Sequence, residues 1–274
     1  MKQCRLYNYL EYIKREKDLA DSTLESYKRD LLQFRKYLID KQIDNITNVN
    51  KTTVITYMVY LQKKGKSAAT VARSLASIRG FFQYLLNIGI IKEDPTYNLR
   101  PPKEERKIPD ILSKEEVDLL LSQPAGDSFI GARDKAMLKL LYTTGIKVSE
   151  LVALNVDNLD MQLGCLLLNY QDASDRLIPI DADTLICIKN YMDNYRKKLV
   201  KDNEEKALFL NYNGNRLTRQ GFWKIIRQYS KKANINKKIT PMTLRHSFAV
   251  HRLDNKDNIV RLINILNYSK ISDT

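Results

Sequence analysis

The stretch Thr240-Pro241-Met242-Thr243-Leu244-Arg245-His246-Ser247-Phe248-Ala249-Val250-His251 opens a helix with threonine as N-cap and proline at the first turn. That proline gives up an N–H that would have no helical partner anyway. Three segments upstream complete an ordered series. Thr144-Gly145-Ile146-Lys147-Val148-Ser149-Glu150-Leu151 joins two helices across a glycine. Cys165-Leu166-Leu167-Leu168-Asn169 and Arg176-Leu177-Ile178-Pro179-Ile180 are short apolar runs about a turn apart, which predicts a hairpin. Leu217-Thr218-Arg219-Gln220-Gly221-Phe222-Trp223 leads into a further helix through Ala233. Helices interrupted once by a hairpin predict a mainly α fold with a small β element.

The pattern continues outward in both directions. A capping box, Ser113 with Glu116, opens a helix carrying Val117, Leu120 and Leu121, and another helix spans 131–142. A last helix is expected over 257–266. Residues 1–92 read as helices throughout. Ser22 and Glu25 suggest a second capping box, followed by the stripe Leu24, Tyr27, Leu31, Phe34 and Leu38. Val54, Met58 and Leu61 form a shorter stripe that stops at Lys63-Lys64-Gly65. Val71, Leu75, Ile78, Phe82 and Leu85 form a third, closed by Asn87 and Gly89. Opposite it lie Thr70, Arg73, Ser77 and Gly80, with Arg79 on the same helix: short or basic groups able to approach a phosphate backbone. Pro95, Pro101, Pro102 and Pro109 then bracket a charged run, the composition of an extended connector. The expected division is a helical domain over 1–94, a linker over 95–109 and a mixed domain over 110–274.

Composition narrows the function. The 274 residues carry 46 Lys+Arg against 32 Asp+Glu, a formal charge of +14. Both halves are positive, which points to a polyanionic partner. Three scattered cysteines and two histidines suit neither a disulfide framework nor a metal centre. A reducing cytoplasm is therefore the expected compartment. No apolar run approaches the roughly 18 residues of a membrane span.

In this order and spacing, the four motifs resemble the tyrosine recombinase (phage integrase) family, most closely its Xer-type members. The resemblance implies a helical, SAM-like core-binding domain and an α+β catalytic-type domain that together clamp duplex DNA. It also implies a chemistry. Two arginines and a histidine bind the scissile phosphate, a hairpin lysine protonates the leaving hydroxyl, and a tyrosine attacks to form a phosphotyrosyl bond. Preorganised cations around the phosphate oxygens suit phosphoryl transfer.

Carried over position by position, the set is altered. The first arginine falls at Lys147, which keeps the charge without the bidentate fork. The hairpin lysine falls at about Gln171, the histidine at Met242, and the later His/Trp position at Tyr268. Arg245 matches the second arginine. The nucleophile is expected a few positions beyond Thr274. The resulting expectation is a DNA-binding member of the family that does not cleave unaided. Arg73, Arg79, Lys147, Arg176, Arg219 and Arg245 are the candidate DNA contacts. No metal or organic cofactor is expected, because side chains supply the charge. Duplex DNA is the expected partner, joined in one scenario by an intact tyrosine recombinase that lends its tail to this otherwise monomeric chain. One alternative is an active site-specific recombinase. Another is a basic helical protein-interaction module.

Overall fold

The computed structural model describes residues 3–16, 19, 21–103, 110–170, 173–200 and 205–254. The expected helix over 257–266, Gln171 and Tyr268 lie outside them. The chain forms two compact units, Met1–Lys107 and Ile108–Thr274. The break falls inside the expected connector, but the connector's first part folds instead of extending. Asp94 accepts the Thr96 N–H at 2.8 Å and its hydroxyl at 2.7 Å, Thr96 is fully buried, and Leu99 joins the core of the first unit.

The first unit contains α1 (Gln3–Glu16), α2 (Asp21–Asp40), α3 (Lys51–Lys63) and α4 (Ala68–Asn87). Leu31, Phe34 and Leu38 of α2 meet Val54 and Leu61 of α3 and the whole expected stripe of α4. Tyr57 and Tyr9 enlarge this core, so it is more aromatic than the aliphatic spacing suggests. Gly65 and Gly89 adopt left-handed φ values just past the ends of α3 and α4, where a side chain would be strained. Two expectations change. Ser22 lies inside the first turn of α2, since the helix already includes Asp21, so it is not an N-cap. The face of α4 read as open is partly covered. Ser77 is buried, and a Cβ on Gly80 would come within 2.3 Å of the Tyr9 hydroxyl, so the missing side chain leaves room for the buried Tyr9 ring of α1.

The second unit begins with α5 (Lys114–Ser122), whose capping box forms as read. The Ser113 N–H donates to Glu116 Oε2 at 2.8 Å and the Glu116 N–H to Ser113 Oγ at 3.2 Å. There follow α6 (Phe129–Thr144) and α7 (Val148–Ala153). An antiparallel sheet in the order β1 (Leu159–Asp160), β2 (Cys165–Tyr170), β3 (Ala173–Pro179) comes next. Leu168 stands opposite Arg176, with a register irregularity between Leu168 and Tyr170. Then α8 (Ala182–Tyr191) runs through a π turn (Met192–Arg196) into a last turn, α9 (Lys197–Leu199). Two helices, α10 (Arg219–Lys232) and α11 (Pro241–Asp254), complete the unit. Apolar side chains from α5, α6, the sheet, α8 and α10 share one core.

That core contains an ion pair. Arg133 donates to Asp134 Oδ1 from Nε at 2.8 Å and Nη2 at 2.7 Å, while its Nη1 donates to the Leu210 carbonyl at 3.0 Å. The Tyr229 hydroxyl on α10 donates to Asp134 Oδ2 at 3.2 Å, tying α10 to α6. Burial pushes the Asp134 carboxyl pKa up against the pull of Arg133, so the pair exists at a desolvation cost. Removing one partner should be more costly than never having had the pair. Asp134→Ala is expected to destabilise the chain by about 3–5 kcal/mol in urea unfolding, because it strands a buried guanidinium. A loss under about 1 kcal/mol would mean that water reaches Arg133.

Candidate nucleic-acid interface

The site grows from the turn after α6. Gly145 takes a left-handed φ of 62° and its N–H closes the helix on the Leu141 carbonyl at 3.0 Å. The chain then buries Ile146 and turns Lys147 outward at the start of α7. Glu150 caps this start by accepting the Lys147 N–H at 2.6 Å through Oε2. Its other oxygen, Oε1, lies 3.6 Å from Arg176 Nη1 on β3. Arg216 holds the far end of α7, donating to the carbonyls of Val152 at 3.0 Å and Leu154 at 2.9 Å and to Asn155 Oδ1.

The second part of the site lies on α11, which packs against α6. Thr240 and Thr243 cap its start reciprocally, each accepting the other's N–H at 3.1 Å. Ser247 Oγ accepts the Leu112 N–H at 2.9 Å, and the Tyr142 hydroxyl pairs with His251 Nδ1 at 2.8 Å. On the helix so fixed, Met242 is 54% exposed while Arg245 is only 5% exposed. A thioether at Met242 offers a phosphate nothing but bulk.

Of the other expected contacts, Arg73 makes a bidentate pair with buried Asp30, at 2.9 and 3.0 Å, and keeps part of its side chain in solvent. Arg79 donates to the Leu99 carbonyl at 2.5 Å. Arg176 is turned inward, with all three guanidinium nitrogens buried. Arg219 is exposed at the first position of α10. Two of the six, Arg73 and Arg79, belong to the first unit, and Arg73, Arg79 and Arg176 already serve the chain's own carboxylates and carbonyls.

A larger cationic face was not among the expected contacts. On α10 the buried residues Phe222, Ile225, Ile226, Tyr229 and Ser230 leave Trp223, Lys224, Arg227, Lys231 and Lys232 outward. Trp223, Arg227 and Lys231 line a cleft of about 620 Å³ with Asn234 and Lys238. The signal is in the sequence: residues 207–253 contain ten Lys and Arg and no Asp or Glu. Lys237 is paired with Glu116 at 2.6 Å and Arg216 is spent on carbonyls of α7, which leaves the outward charges of α10 as the ones that add into a positive field. Among the described residues, no three His, Cys, Asp or Glu side chains converge as a metal site would require, and no helix is long and apolar enough to cross a membrane.

Residues 110–274 match the phage integrase family, and residues 6–89 match the phage integrase N-terminal SAM-like domain. The chain is 39% identical to the tyrosine recombinase XerD of Oceanobacillus iheyensis, over 100% of this chain and 93% of that protein. It is 38% identical to XerD of Staphylococcus epidermidis, over 97% of this chain and 90% of that protein. Among solved structures, XerA recombinase is similar with a TM-score of 0.55 at 25% identity, covering 98% of this chain and 90% of that one. The Tn1549 transposon integrase, in complex with a circular intermediate DNA, superposes with a TM-score of 0.76 at 19% identity over 98% and 92% of the two chains. At that identity the likeness bears on the fold alone.

His246, next to Arg245, is half-buried, and burial together with the neighbouring guanidinium lowers its pKa from 6.5. The unfolded chain therefore takes up this proton first, so His246 leaves stability intact above about pH 6.5 and erodes it as the pH falls below that value. An NMR titration of the full chain should place the His246 midpoint below 6.5. A midpoint at or above it would mean that the imidazole has found an acidic partner.

Proposed function

The chain belongs to the phage integrase family of tyrosine recombinases, and from that premise we propose that it binds duplex DNA and acts in site-specific DNA recombination. The observation that carries this reading is the 39% identity to a tyrosine recombinase spread over the entire chain. Likeness of that extent covers both units, so it supports the activity of a whole recombinase and not only a borrowed fold. The cationic face of α10 supplies most of the affinity by displacing counterions from phosphates. Arg245 and Lys147 hold the phosphate to be transferred. Arg245 contributes a planar fork and Lys147 a point charge on a flexible stem. The reaction is attack of a tyrosyl oxygen on a DNA phosphodiester, which forms a phosphotyrosyl bond as one strand P–O bond breaks and leaves as a protonated strand hydroxyl; rejoining is attack of such a hydroxyl on the phosphotyrosyl bond, in the cytoplasm, with side chains providing all the charge.

Four residues favour a second reading. Lys147, Gln171, Met242 and Tyr268 stand where the family's arginine, lysine, histidine and His/Trp are expected. On this reading the chain binds DNA, and an intact recombinase partner performs the cleavage. The full-length likeness to proteins named tyrosine recombinases supports the active reading better than this one.

Binding and cleavage are tested separately. Duplex binding should weaken steeply with salt. Substituting Lys224→Ala, Arg227→Ala and Lys231→Ala together should flatten the log–log slope by about 0.9 for each phosphate no longer neutralised. An unchanged slope would remove α10 from the interface. On a nicked suicide substrate carrying a recombination site of a relative, the active reading expects a covalent protein–DNA adduct from protein that includes the nucleophile position, which the motifs place beyond Thr274. Arg245→Ala should lower it by about 100-fold or more, the scale of removing one transition-state donor. No adduct from the wild-type chain, with binding intact, would favour the partner-dependent reading.

A further inference from the structure

Arg176 has the chemistry of a phosphate contact but not the placement. We propose that Arg176 is a positioning residue. By neutralising and anchoring the Glu150 carboxylate, it keeps the start of α7 able to receive a DNA phosphate at Lys147. The inference rests on the reading of Lys147 as a phosphate contact.

Glu150 sits at a conflict. Its carboxylate caps the Lys147 N–H at 2.6 Å, so it fixes where the Lys147 side chain begins. A lysine stem is flexible, and the position of its root decides how often the ammonium reaches a given phosphate. Yet the same carboxylate places a negative charge one helical turn from the anion that Lys147 is to bind. It is also poorly solvated, its side chain being 9% exposed, so water screens it little. A helix start that uses a carboxylate cap beside an anion site needs a compensating cation, and the cation must not compete for the anion itself.

Arg176 meets both conditions. It stands on β3 opposite Leu168, just after the irregularity in the hairpin register, and its Nη1 lies 3.6 Å from Glu150 Oε1. With all three guanidinium nitrogens buried, it cannot reach a DNA backbone without leaving this place. Arg216 independently secures the carbonyl end of α7, so the Glu150–Arg176 pair governs the end that matters for Lys147.

The test compares affinities of the full chain for mixed-sequence duplex DNA at one salt concentration, on variants shown to be folded by circular dichroism. Arg176→Gln removes this buried cation from the carboxylate and should weaken binding by about tenfold. Adding Glu150→Gln should restore affinity to about that of the wild type. Glutamine still caps the N–H but carries no charge. A merely structural role would leave the affinity of folded protein unmoved, and a direct phosphate contact would not be rescued by Glu150→Gln. Either result overturns the proposal. Should Arg176→Gln not fold, Arg176→Lys keeps the charge and should bind as the wild type does; a loss of about tenfold there would also overturn it. Lys147→Ala should itself weaken binding. If it does not while binding stays salt-dependent, the positioning role fails and the DNA-binding reading survives. If no salt-dependent binding is seen at all, that reading fails first.

Discussion

A carboxylate shut away from water must be matched by a cation, and that requirement organises both units of this protein. Asp30 is matched by Arg73, Asp134 by Arg133, and Glu150 by Arg176. Each pair joins or steadies an element that the site depends on: α2 to α4, the start of α6, and α7 to the sheet. The consequence is a division of labour among the basic residues. Arginines, whose forks suit fixed acceptors, are largely committed inside the chain to carboxylates and carbonyls. The outward charge on α10 is carried mainly by lysines, together with Arg219 and Arg227.

The fold was legible wherever a local rule decided it. Ser113 and Glu116 cap a helix because both partners lie within four residues, and the cap holds even though Glu116 Oε2 also takes Lys237 at 2.6 Å. The stripes of α2 and α4 are buried because helical period alone brings those side chains to one face. Legibility fails where a distant element intervenes. Ser77 and Gly80 look polar and open until α1 crosses them, and Tyr9 is what makes the glycine necessary. Asp94 and Thr96 form a turn that holds the supposed connector against the first unit, a tertiary result that proline density could not reveal.

The same distinction divides the site. The backbone around Lys147 and Arg245 was legible, since a left-handed glycine and a threonine cap are local rules that set where α7 and α11 begin. The fate of Arg176 could not be read, because its partner comes from another element and the charge of an arginine says nothing about which way it turns. The face of α10 was readable in principle. A stretch of 47 residues, 207–253, free of acid in a chain with 32 Asp+Glu is a stronger sign of a polyanion site than the net charge of either half.

On the function proposed above, affinity and chemistry rest on different residues. The charges that draw in a duplex are spread along α10, where any one contributes a single counterion's worth of affinity and can drift with little effect. The groups that would act on the transferred phosphate are few, and each must be held in place: Arg245 by its burial on α11, and Lys147 by a capped helix start whose cap needs a cation of its own. Substitutions at the second set can alter cleavage while leaving binding almost untouched. The same separation would let residues such as Lys147 and Met242 vary while the outward charge of α10 is kept. Selection on binding alone would preserve α10 but would not by itself require Glu150 and Arg176 to stay paired. On that reading the Glu150–Arg176 pair matters to the second set alone, through the root of Lys147.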